Sequence, residues 1–160
     1  MSTQSQLKHV PAGAGRTYWG PGDEVRFILT GEDTGVRSMA EVTVPPAGSP
    51  PHLQRNEDEA FFLLQGTVTL QVEGKTIDAS AGDFVLVPRG TVHSFKNTSI
   101  QHARMLVICT PAGAEGFFEG AFYPAQDGAT APATMTEELK HRMLAAAGKY
   151  GMEILPPPQK

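Results

Sequence analysis

The sequence predicts an all-β fold, a sandwich or closed barrel, on three observations. Short alternating or apolar runs succeed one another from about residue 23 to residue 110. Turn residues break them at short intervals, drawing on 17 glycines and 13 prolines among 160 residues. No helical pattern intervenes in that stretch, which is the signature of strands joined by tight turns. A chain of this length fits one domain and buries roughly two-thirds of its unfolded surface.

The elements follow in order. Residues 1–22 are rich in Gly, Pro and small polar residues, with Tyr18 and Trp19 as the large apolar anchor, and read as an N-terminal arm over the core or a partner subunit. Residues 23–30 read as the first strand, with Val25, Phe27 and Leu29 alternating against Glu24, Arg26 and Ile28. Residues 31–35 carry turn chemistry, and residues 36–44 form the next strand. The segment 45–51 holds four prolines, which cannot donate to a ladder, so it is expected to be a rim loop.

Strands are then predicted over 59–65, 67–72, 75–79, 84–87, 92–96 and 103–110, with Gly66, Glu73-Gly74, Gly82-Asp83 and Pro88-Arg89-Gly90 at the joints. In the tail, residues 134–137 have capping-box form and 138–147 are good helix formers. Leu139, Met143 and Leu144 share one expected face, and Gly148 is the expected stop. This helix reads as packing.

Composition narrows the function classes. A net charge of −4 and no basic run longer than a pair argue against a nucleic-acid surface. The first residues lack the apolar core of a signal peptide, and no apolar stretch approaches the roughly 18 residues of a membrane span. The single cysteine, Cys109, follows an apolar run and reads as a reduced, buried thiol. A cytoplasmic protein without membrane or nucleic-acid partners is the expectation.

Chemistry concentrates in four residues. Side chains two apart on a strand face the same side, so His52 and Gln54 point together. Glu59 shares a face with Phe61 and Leu63, and His93 with Phe95. If these strands close one barrel, His52, Gln54, Glu59 and His93 converge inside it. Two imidazoles and a carboxylate suit a divalent iron, manganese, nickel or zinc ion and leave positions open for substrate. Gln54 would add a weak, neutral ligand or a hydrogen bond to substrate.

Pro51-His52-x-Gln54-x-x-x-x-Glu59 followed by Gly66 resembles the first motif of the cupins, in which two histidines two apart precede a glutamate and a glycine. Residues 82–97, from Gly82-Asp83 through Pro88-Arg89-Gly90 and His93 to Asn97, match the second cupin motif at each signature position. The resemblance spans about residues 36–110, and the flanks are similar to small single-domain, quercetin-dioxygenase-like cupins. It implies a double-stranded β-helix (jelly-roll) barrel of six to eight strands, with the N-terminal arm and the helical tail of about 134–148 outside the motif core. It also implies a homodimer and a divalent metal held by three histidines and a glutamate. Carried onto this chain, the metal ligands are His52, Glu59 and His93, with Gln54 at the fourth metal position; the catalytic candidates are Glu59, as ligand or base, and His93, as its acid/base partner in a non-redox reaction.

Gln54 stands where the family has its second histidine, so a bound ion and an empty polar pocket both remain open. Phe61, Leu63, Leu86 and Phe95 are candidate pocket walls, though core packing uses the same surface in a small barrel. Such a pocket suits a small organic substrate, aromatic or enolic. Phe117, Phe118 and Phe122 cap its mouth, pack the helix or form a subunit contact. Glu57 and Asp58 are expected to be solvated, Arg89 to be a structural or solvated rim residue or a gate for an anionic substrate, and His9, His102 and His141 to carry no chemistry. The sequence supports either a dioxygenase-like oxidoreductase or a non-redox isomerase, cyclase, lyase or binding module.

Overall fold

Alternation along the strands decides which side chains meet in the barrel. The computed structural model describes residues 7–127, 129–132 and 134–156. One antiparallel sheet contains β1 (Arg16–Trp19), β2 (Glu24–Leu29), β3 (Ser38–Val44), β5 (Asp58–Gln65), β8 (Phe84–Val87), β10 (Ala103–Thr110) and β11 (Tyr123–Pro124). Its order is β11-β1-β2-β3-β10-β5-β8. The other contains β4 (His52–Gln54), β6 (Thr67–Val72), β7 (Lys75–Ser80), β9 (His93–Lys96) and β12 (Met152–Ile154), in the order β12-β4-β9-β6-β7.

Register aligns the inward rows. Val42 on β3 pairs with Met105 on β10, and Met105 with Leu63 on β5. One row along, Ala40 pairs with Val107 and Val107 with Phe61. A further row runs Ser38, Cys109, Glu59 and Val87, which carries a carboxylate into the interior. Phe61, Leu63 and Met105 are all 1% exposed. Burying each side chain of this kind contributes roughly 1.5–3 kcal/mol. Gly66 joins β5 to β6 with φ of 77°, and a Cβ there would press on Ala103 at 3.1 Å, so both the turn and the close approach call for glycine.

The ends of the chain differ most from expectation. The N-terminal arm contributes β1, which pairs with β2, instead of only lying over the core. Residues 31–35 hold a single helical turn, α1 (Gly31–Thr34), closed by Gly35 at φ 71°. A second helix, α2 (Glu115–Ala121), follows β10, and β12 adds to β4 near the C-terminus. The third helix, α3 (Glu137–Lys149), is capped by Thr136, whose side chain accepts from the Leu139 N–H, so Thr136 and not Thr134 is the cap. It runs past Gly148 to Lys149.

Leu139 and Met143 are buried together with Ala146 and Ala147, but Leu144 is 51% exposed. Positions 139, 143 and 146 lie one turn apart on one stripe, whereas 144 is rotated away from it. Pro157 and Pro158 of the proline-rich end lie outside the described residues.

Candidate metal centre and pocket

Three strands bring three ligating side chains together. His52 comes from β4, Glu59 from β5 and His93 from β9, and His52 pairs directly with His93 across the second sheet. Their ligand atoms all lie within 4.8 Å of one another, and all three residues are buried. The two imidazole centroids are 4.4 Å apart. His93 Nε2 sits 2.9 Å from Glu59 Oε2.

The backbone sets the orientation of both rings. His52 Nδ1 lies 2.9 Å from the Pro50 carbonyl, and His93 Nδ1 lies 3.0 Å from the Thr91 carbonyl. A carbonyl only accepts, so each Nδ1 carries a proton and each Nε2 is directed at the site. This is the outer-shell arrangement that fixes imidazole ligands for a metal. Burial lowers the pKa of His52, only partly offset by the nearby Glu59 charge. Burial also opposes the charged form of His93, but the hydrogen bond and charge of Glu59 outweigh it and raise the pKa. Without a metal, Glu59 thus favours a proton on His93, while burial disfavours one on His52.

The fourth sequence-predicted position behaves differently. Gln54 is 3% exposed and lines the same cavity. Its Oε1 accepts from the Cys109 thiol at 3.9 Å, while Nε2 has no hydrogen-bond partner among the described residues. Burial raises the Cys109 pKa well above its usual range, with nearby carboxylates adding to it, so the thiol keeps the proton it donates. In this arrangement Gln54 offers the cavity a donor. The three charged or basic ligands fit a divalent ion, since they combine imidazole nitrogens with a carboxylate and leave coordination positions open.

The cavity beside these residues has a volume of about 110 Å³. That is of the order of the roughly 150 Å³ known to admit one benzene ring. Phe61 and Phe95 line it, as expected. Leu63 is buried in the core without lining the cavity. Leu86 does not line it either and is 57% exposed: on β8 it pairs with Ala60, so Val85 and Val87 share the inward face with Phe61 and Glu59. Phe117, Phe118 and Phe122 do reach the cavity, as does Met143 of α3, so the helix supplies wall as well as packing.

Sequence reasoning placed Glu57 in solvent, yet it is 4% exposed, near Glu115, and burial raises its pKa. Asp58 instead pairs with Arg89 at 3.0 Å on the surface, where the Arg89 hydrogen bonds lower the Asp58 pKa to about 2. Arg89 is thus a structural rim residue. Asp23, which sequence reading treated only as a strand start, lines the cavity. Its parity with Val25 and Phe27 was the available signal.

The two-sheet barrel and its inward His–Glu–His group define the class of protein. Residues 40–109 match the family model for the cupin domain, which, with the similar proteins, supports a cupin-superfamily protein. It is similar to the quercetin 2,3-dioxygenase of Bacillus subtilis, with 32% identity over 82 residues, 47% of this chain and 24% of that protein. The chain spans between a quarter and a half of the length of the first curated relatives it matches.

Among solved structures, a predicted oxalate decarboxylase of Thermotoga maritima superposes with a TM-score of 0.61 at 21% identity, covering 65% of this chain and 99% of that one. The ectoine synthase of P. lautus superposes with 0.60 at 20% identity, covering 78% and 96%. At these identities the solved structures show the shared fold. No helix among the described residues is long and apolar enough to cross a membrane.

Proposed function

We propose that the chain is a divalent-metal-dependent, dioxygenase-like oxidoreductase for a small, largely apolar organic substrate bearing an enol or catechol-type hydroxyl. The observation that carries this reading is the buried His52–Glu59–His93 group, of which His52 and Glu59 line a ring-sized apolar cavity. His52, Glu59 and His93 would hold the ion. A bound divalent ion acts as a Lewis acid on the substrate oxygen, and iron, manganese or nickel adds redox capacity. Glu59 would accept the substrate hydroxyl proton; in the metal-free protein the same carboxyl is hydrogen-bonded at 2.9 Å to His93 Nε2, the atom that would otherwise hold the ion. Gln54 donates its free Nε2–H to the substrate oxygen, and the phenylalanine and methionine walls keep water away.

The test is oxygen uptake by protein reconstituted with iron(II), manganese, nickel or zinc, using acetylacetone, catechol and 4-methylcatechol as substrates. Uptake lost in Glu59→Gln supports the reading. Turnover of these compounds without oxygen consumption refutes it and favours a second reading. In that reading the Glu59–His93 hydrogen bond serves as a general acid/base pair for a non-redox isomerase, cyclase or lyase. The homodimer expected from the arm and barrel edges is part of the proposal. Its candidate face is the outer side of β5 and the edge strand β8, where Phe62, Phe84 and Leu86 are exposed.

A further inference from the structure

The turn before β2 is held by close packing and backbone hydrogen bonds. Gly20 packs so closely on the Phe122 ring that a Cβ there would overlap it. Gly22 adopts φ of 87° and donates its N–H to the Pro132 carbonyl at 2.7 Å. The Gly20 N–H donates to the Asp23 carbonyl at 3.0 Å. These contacts fix the backbone at Asp23 and leave its side chain on the cavity wall.

The Asp23 carboxyl makes no hydrogen bond or ion pair among the described residues, and no lysine or arginine lines the cavity. Most of the cavity wall is apolar, Val25, Val42, Phe122 and Met135 among it. Burial raises its pKa to about 7. The other titratable side chains lining the cavity are His52 and Glu59, and Asp23 stands outside the group they form with His93. Glu24 is exposed and bonded to Trp19, and Arg26 bonds the Ala14 carbonyl and Glu41. A half-buried acid without a protein partner is costly to fold, so its place on a ligand cavity calls for a partner from outside the chain.

We infer that Asp23 is a ligand-binding residue that receives a hydroxyl or amine hydrogen from a ring-sized ligand in this cavity, at a point separate from the His52–Glu59–His93 group. The ligand is thus an apolar molecule with a hydrogen-bond donor of its own. This inference requires the cavity to be a ligand site but not that a metal be bound.

Four of the six methionines, Met105, Met135, Met143 and Met152, line the cavity, while Met39 does not, which provides a readout with an internal control. Chelator-treated protein labelled with carbon-13 at the methionine methyls is titrated with toluene, benzyl alcohol and benzylamine. The alcohol and amine should bind about tenfold tighter than toluene, the size of one charge-assisted or buried hydrogen bond. Asp23→Leu should bring all three to the toluene value. The near-isosteric Asp23→Asn should keep the gain of the alcohol and lose that of the amine. Equal binding of the three probes to the wild type, a gain that survives Asp23→Leu, or no shift of the cavity methyls at millimolar probe would each overturn the inference. None of these outcomes depends on metal, so they are separable from failure of the metal-dependent reading.

Discussion

Replacing Gln54 with methionine removes a buried donor that no described residue of the chain satisfies. Gln54 is 3% exposed and its Nε2 lacks a partner, and leaving such a donor unsatisfied costs about 1–3 kcal/mol. The thiol contact to Oε1 at 3.9 Å is long and weak, contributing less than about 1 kcal/mol. Methionine has nearly the same length and volume, so the barrel keeps its packing. Gln54→Met should therefore stabilise the metal-free protein by about 1–2 kcal/mol, or about 2–6 °C in Tm for a chain of this size. Urea unfolding in chelator measures the difference directly. Affinity for zinc or manganese should stay within about threefold of wild type, a change below 1 kcal/mol. A destabilisation of about 1 kcal/mol or more, or loss of metal binding, would refute the reasoning, because it would mean that the amide already has its partners or ligates the ion.

Four further outcomes follow from the same geometry. Gln54→His places an imidazole beside the other ligands and should raise metal affinity at least about tenfold by competition against a chelating dye. His93→Ala leaves the buried Glu59 carboxylate without its partner and should cost about 3 kcal/mol in metal-free urea unfolding; a cost under about 1 kcal/mol would contradict the pairing. Asp23, at about 7 in the fold and 3.8 in the unfolded chain, keeps its proton only in the folded state between those values. Stability should thus fall as pH rises through that window, and Asp23→Asn should be about 1–2 kcal/mol more stable than wild type at high pH, after discounting for the solvent the carboxyl still meets, with no such gain below the unfolded value. For the dimer, sedimentation of wild type should give two chains and Leu86→Glu one; a wild-type monomer would sink that proposal.

The middle of the chain was largely legible because alternation and motif spacing act together there. Strands β5, β6, β8 and β10 begin and end within a residue of expectation, and His52, Glu59 and His93 meet as their spacing implied. Leu86 was misplaced because a four-residue apolar run has no phase of its own; the pairing Leu86–Ala60 sets it outward. Glu57 was misjudged because three consecutive acids look alike in sequence, and only the fold buries the first near Glu115.

The helix α2 and the strands β11 and β12 escaped notice because each is short and held by tertiary contacts: Gly116 packs on the Tyr150 ring, and β12 is defined by its register with β4. Asp23 shares the parity of Val25 and Phe27, but a polar residue at a strand start is ordinarily solvated. Its position on the cavity follows from the seat of Gly20 on Phe122, a contact about a hundred residues distant in sequence.

Whether His52, Glu59 and His93 form one divalent-metal centre is tested by direct titration of chelator-stripped protein with iron(II), manganese, nickel and zinc. About one equivalent should bind for at least one of these ions, with the binding abolished in His52→Ala, Glu59→Gln and His93→Ala variants that remain folded. Less than about a tenth of an equivalent of every ion in wild type, or full binding retained by those variants, would contradict it.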